Sequence, residues 1–196
     1  MQAVQYVLTA NIPGTIVECG VWRGGSMMAA AQVLQDRQVS DRDLYLFDTY
    51  EGMVEPTGVD VNLSNKIAFD EFAQRKINTA SSDWCHASLD EVRENIAKIG
   101  YDRDRIHFVK GKVEETIPQA APDTIALLRL DTDWFESTRH ELIHLYPRLV
   151  SGGVLIIDDY GHWQGARKAT DEFLAAEGIH LLLNRIDYTG RICIKP

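Results

Sequence analysis

The chain has 196 residues, 45% of them hydrophobic, and a formal net charge of -9. That length and apolar content fit a single domain over residues 1–196 with a full core. The acidic balance excludes a nucleic-acid partner or an anionic membrane surface, each of which calls for a basic face. No apolar run approaches the length of a membrane span. The opening MQAVQYVLTANIPG lacks the basic-then-apolar order of a secretory signal. Cys19, Cys85 and Cys193 are odd in number and have no metal-type spacing. They read as reduced thiols packed in a core, which fits a cytoplasmic protein.

In chain order, TIVECG (Thr15–Gly20) reads as a buried strand leading into a helix, GGSMMAAAQVLQ. Strands follow at Leu44–Asp48, Ile106–Gly111 and Ile125–Asp131, then a helix in ESTRHELIHLYPRL. A fifth strand spans Gly153–Asp159 and a further helix Gln164–Glu177. IHLLLN and RICIKP close the chain as two strands, an antiparallel pair around Tyr188–Gly190. Short apolar runs without alternation are the mark of strands buried on both faces. Their alternation with helices predicts a doubly wound α/β sheet. The connection from Thr49 to Arg105 is far longer than a plain crossover needs. It carries YEGMVEPTGVD and two expected helices, near Leu63–Lys76 and Ser88–Ile99. An insertion beyond a strand end lies over the ligand crevice, so residues 50–88 read as a lid.

In an open α/β sheet, ligands bind beyond the carboxyl ends of the strands, and here those ends are acidic. The first ends in Glu18-Cys19-Gly20, followed by Trp22, Gly24, Gly25 and Ser26 in a turn that opens a helix. This turn is not a strict G-x-G-x-x-G, and Asp48 falls too far beyond Gly20 for the dinucleotide spacing of about 20 residues. An acid at that position takes the ribose hydroxyls of any adenosyl cofactor. Asp131, Asp158 and Asp159 end neighbouring strands, about 4.8 Å apart in a parallel sheet. A convergent set of hard oxygen ligands without cysteine selects Mg²⁺ or a similar ion. The bland alternative is a set of helix caps and a salt bridge to Arg129 or Arg167. His140-Glu141-Leu142-Ile143-His144 matches H-E-x-x-H. We reject a zinc-protease reading, because both histidines point away from the apolar face of that helix and the sequence offers no third ligand.

VECGVWRGGS, LDTDWFEST, HLYPRL and LIIDDYGHWQGARKA together resemble the macrocin O-methyltransferase family. The resemblance runs from about Gly14 to the end of the chain. It implies a Rossmann-like class I fold that uses S-adenosylmethionine (SAM), with a mostly parallel seven-stranded sheet and an antiparallel last strand. It implies that Glu18, Gly20 and Ser26 meet the methionine end of SAM, with Trp22, Gly24 and Gly25 in the same turn. Asp48 holds the ribose and Gly111 borders the adenosine. On the same resemblance, Asp131, Asp158 and Asp159 would bind Mg²⁺ and Asp133 would be the general base, with His162 as the alternative base. Trp134, Tyr160 and His162 line the acceptor pocket. The expected acceptor is a small molecule, a natural-product sugar or else a catechol, and the expected assembly is a homo-oligomer. The rival readings are a nicotinamide-dependent oxidoreductase and a non-catalytic protein that keeps the pocket.

Overall fold

The structure, a computed structural model, describes residues 1–77 and 82–196. Its sheet has seven strands: β1 (Thr15–Cys19), β2 (Leu44–Asp48), β3 (Ile106–Lys110), β4 (Ile125–Leu130), β5 (Leu149–Ile157), β6 (Asn184–Arg185) and β7 (Arg191–Ile194). They lie in the order β3-β2-β1-β4-β5-β7-β6. β1 to β5 are parallel, and β7 runs antiparallel between β5 and β6. The strand order reverses between β1 and β4, which opens the ligand crevice there.

Successive strand residues point to opposite faces, and the burial follows that rule. Ile16, Leu44, Leu46 and Val154 face one apolar layer with α1 (Gln2–Thr9), α2 (Gly25–Asp36) and α4 (Leu89–Ala97). Val17, Cys19, Phe47, Leu128, Leu130 and Ile157 face the other, with α5 (Val113–Thr116), α6 (Phe135–Leu145) and α7 (Gln164–Ala176). α4 begins at Ser88, whose hydroxyl accepts a hydrogen bond from Glu91 N at 3.2 Å, a cap that satisfies one free helix N–H.

The segment before β1 forms a helix, α1, which buries Val4 and Val7. Three expected elements need correction. α6 stops at Leu145, and a 3₁₀ turn with Pro147 (Tyr146–Arg148) replaces its expected last turn, because proline cannot donate to a continuing helix. β5 starts at Leu149, paired with Ile125, and the register slips before Val154 meets Leu127. Of IHLLLN, only Asn184 enters a strand. Ile179, Leu181 and Leu183 lean on the core while Leu182 is 80% exposed, so the alternation is present without a partner strand.

The connection after β2 carries α3 (Ala68–Arg75) before α4. Residues 78–81 of the expected lid lie outside the described residues. Met53, Val54 and Cys85 of the lid line the crevice; Cys85 is exposed there and is not the core thiol expected, whereas Cys19 and Cys193 are buried.

Glu141 is carried by α6 into the core and is fully buried. One oxygen accepts from Thr132 Oγ1 at 2.9 Å, while Oε2 has no partner. Burial pushes its carboxyl well above the usual range. The folded protein therefore keeps a proton there that the unfolded chain releases above pH ~4.3, so this group's contribution to stability falls as pH rises. Glu141→Gln is expected to stabilise the protein, by about 1–3 kcal/mol at pH 8 and by less at pH 5. Thermal melts of both proteins at the two pH values check this; a gain that does not grow with pH would contradict it.

Candidate active site

The crevice encloses about 770 Å³, part of it open to solvent. One end is built by the turn after β1. Gly20 has φ +82, and a Cβ there would overlap the carbonyl oxygen of Asp131. The glycine is thus demanded by the approach of β4. Trp22, 52% exposed, stands at the rim of the crevice. Gly24 and Gly25 carry the chain into α2, and Gly25 faces open space.

Asp48 accepts from Val21 N at 2.6 Å, Trp22 N at 3.0 Å and Tyr50 N at 2.7 Å. It holds the β1 turn against the end of β2 while lining the crevice. Gly111, Lys112, Val113 and Glu114 form the wall beyond β3.

Glu18 is buried, with Oε1 accepting from Arg129 Nη1 at 2.7 Å and Oε2 unpartnered. Burial is the main cause raising its pKa to about 7; Arg129 and the Ser26 hydroxyl pull it down, and Asp48 pushes it up.

Beyond β4, the ligand atoms of Asp131, Asp133 and Asp159 all lie within 4.8 Å of one another. Burial first, then repulsion among the three and from Asp158, raises the pKa of each; Asp158, expected as a ligand, is not one of the converging group, where Asp133 stands instead. Hydrogen bonds from Asp159 and Trp163 offset part of the shift at Asp133. Asp159 Oδ2 is buried without a partner. Asp133 holds φ +68, a left-handed conformation uncommon outside glycine and typical of strained functional positions. Asp158 stands beside Asp131 and accepts from Arg129 Nη2 at 2.9 Å. Arg129 is the site's organising cation, whereas Arg23 pairs with Glu91 and Arg167 with Asp171 at the surface.

The acceptor-side residues are placed differently from the sequence expectation. Trp134 is buried; its indole donates to Val54 O at 3.0 Å, and its ring lies 5.7 Å from Trp84 and 5.0 Å from Trp163. These edge-on contacts clasp the lid. Tyr160 donates to Asp171, and His162 Nδ1 lies 3.0 Å from the Tyr188 hydroxyl. None of the three lines the crevice, which Asp131, Thr132 and Asp133 do. Of the two base candidates, the structure therefore brings only Asp133 to the crevice. The H-E-x-x-H segment forms no metal site: Glu141 is in the core, and His140 Nε2 is 2.9 Å from Ile117 O.

Asp60 was invisible as a functional residue in the sequence. It is fully buried, taking Thr57 N and Oγ1 at 2.7 Å and Phe135 N at 2.8 Å. Phe135 is the first residue of α6, so a lid carboxylate caps the helix that follows Asp133. A Cβ on Gly165 would overlap Asp60 Oδ1, so α7 also closes against the latch. Asp60→Ala is expected to cost about 1–3 kcal/mol and to hasten cleavage within the lid. Limited proteolysis with thermal melting checks both, and an unchanged cleavage rate would deny the latch.

The fold and the crevice define a class I SAM-dependent methyltransferase. The chain belongs to the macrocin O-methyltransferase (TylF) family, whose model matches residues 1–194. It is 33% identical to demethyldecarbamoylnovobiocin O-methyltransferase of Streptomyces niveus, over 96% of this chain and 69% of that protein. It is 35% identical to the 8-demethyl-8-(2,3-dimethoxy-alpha-L-rhamnosyl)-tetracenomycin-C 4'-O-methyltransferase of Streptomyces olivaceus, over 95% of this chain and 68% of that one. The solved O-methyltransferase NovP superposes with a TM-score of 0.84 at 32% identity, covering 99% of this chain and 76% of that structure. This chain is accordingly a SAM-dependent O-methyltransferase, and the nicotinamide reading falls away. No helix among the described residues is long and apolar enough to cross a membrane.

Proposed function

We propose that this enzyme methylates a sugar hydroxyl of a small-molecule natural product and needs a divalent cation, Mg²⁺, to do so. The observation that carries the metal is the buried, unpartnered Oδ2 of Asp159 within the Asp131–Asp133–Asp159 group. A buried carboxylate without a partner is costly, and a hard cation is the ligand that such an oxygen set suits. The sugar rests on the relatives, one of which is named for a rhamnosyl acceptor.

Asp131 and Asp159 would hold the ion, with Asp158 contributing through the oxygen that Arg129 leaves free; the ion would supply Lewis acidity to orient a hydroxyl and lower its pKa. Glu18, with Gly20 and Ser26, would hold the methionine end of SAM, and Asp48 would hold the ribose. Trp22 closes the rim, and Gly111 with its neighbours borders the adenine. The lid excludes water and aligns the acceptor oxygen with the methyl carbon and the sulfonium. The new O–C bond forms as the S–C bond breaks, and Asp133 takes the hydroxyl proton. Trp134 and Trp163 support that loop from behind, while Tyr160 and His162 stand outside the crevice on the side of α7.

The test is transfer of labelled methyl from SAM to a panel of deoxysugar glycosides and catechols, in chelator-treated protein with Mg²⁺ added back. Glycoside methylation that returns with Mg²⁺ is expected. Methylation of catechols alone would replace the sugar reading, and full activity under chelation would remove the metal.

A further inference from the structure

Glu18 Oε2 and Asp159 Oδ2 are both buried and unpartnered. Each belongs to a carboxylate group that one side chain reaches. Arg129 lies opposite Glu18 in the β1–β4 register, and Asp131 follows two residues later on the same face. Its Nη1 reaches Glu18 Oε1 at 2.7 Å and Asp131 Oδ2 at 2.5 Å, and its Nη2 reaches Asp158 Oδ1 at 2.9 Å. The guanidinium is largely buried, with 17% of the side chain exposed.

We propose that Arg129 is a positioning residue shared by the cofactor end and the metal end, fixing one oxygen each of Glu18, Asp131 and Asp158 and leaving their other oxygens to the ligands. This rests on the reading that Glu18 receives SAM and the acidic group a cation. A planar fork can direct several carboxylates at once, whereas an ammonium is a point charge that holds no such geometry. Because the same guanidinium serves both ends, loss of its Glu18 partner is felt at the acidic group. With a neutral amide at position 18, the guanidinium charge is no longer shared with Glu18 and falls wholly on Asp131 and Asp158, where it competes with the ion. That coupling acts along the hydrogen bonds of Arg129 and needs no change of fold.

Calorimetry on chelator-treated protein separates the two ends. S-adenosylhomocysteine titrated without metal reads the Glu18 end, and Mg²⁺ titrated without cofactor reads the acidic end. Arg129→Lys keeps the charge and loses the fork. It is expected to fold, by circular dichroism, and to weaken both ligands by about tenfold or more. Glu18→Gln, which leaves the acidic group intact, is expected to weaken Mg²⁺ by about fivefold. That second variant carries the test if Arg129→Lys fails to fold, and a merely structural Arg129 would not produce its effect. Wild-type-like binding of both ligands by Arg129→Lys, loss at one end only, or unchanged Mg²⁺ affinity in Glu18→Gln would each overturn the proposal. Failure of the unaltered protein to bind Mg²⁺ would instead sink the metal reading, and the shared role with it.

Discussion

Asp133→Asn is expected to lower kcat by about 10²–10⁴-fold while leaving SAM binding near that of the unaltered protein. The substitution is close to isosteric. Asparagine also accepts the left-handed conformation that Asp133 holds at φ +68, so the backbone has no reason to move. What is lost is the proton acceptor. Burial and the neighbouring aspartates raise the pKa of Asp133, which brings a carboxylate nearer to the range where a base works efficiently at neutral pH. Single-turnover methyl transfer alongside calorimetric SAM binding checks this. Near-normal turnover would take Asp133 out of the mechanism.

Asp159→Asn is expected to move activity and stability in opposite directions. Its carboxylate is held in the interior with one oxygen unpartnered, and burial, Asp133 and Asp158 all oppose its ionisation. An amide carries no charge to desolvate and can donate a hydrogen bond to Asp133. The cation-free protein should therefore gain about 1–3 kcal/mol, or roughly 2–10 °C in Tm. Mg²⁺ binding should disappear, and turnover should fall by at least about a hundredfold. A site built for a ligand is commonly less stable than its neutralised variant. Paired melting and Mg²⁺ titration would show it. A destabilised Asp159→Asn that still bound Mg²⁺ would mean the carboxylate serves the fold and no ion.

Much of this was legible in the sequence, and the reasons for the rest are specific. β1, β2 and β4 announce themselves as short apolar runs because both faces are covered, while β3, at the sheet edge, is only half-buried. Their acidic ends mark the crevice because parallel strands bring like ends to one edge. Asp131 and Asp159 lie together, but with Asp133 in place of the expected Asp158, since a left-handed residue turns the chain sharply just after β4. The same turn sends Trp134 under the lid, although it is adjacent in sequence to the expected base. Arg129 sits two residues before Asp131, so their shared face was readable; its pairing with Glu18 was not, because strand register is set by the tertiary fold. Asp60 looks like any loop aspartate. Only the folded lid shows that it reaches the first N–H of α6. α1 carried the spacing of Val4 and Val7 in plain view, yet a helix so short draws its stability from packing that no local pattern reveals.

Metal dependence is tested most directly by methyl transfer from SAM to a glycoside acceptor after exhaustive chelation, followed by stepwise return of Mg²⁺. Activity that vanishes on chelation, returns saturably with Mg²⁺ and does not return in Asp159→Asn is the predicted result. Undiminished transfer in the chelated protein would contradict it, and the acidic group beyond β4 and β5 would then need a role without a metal.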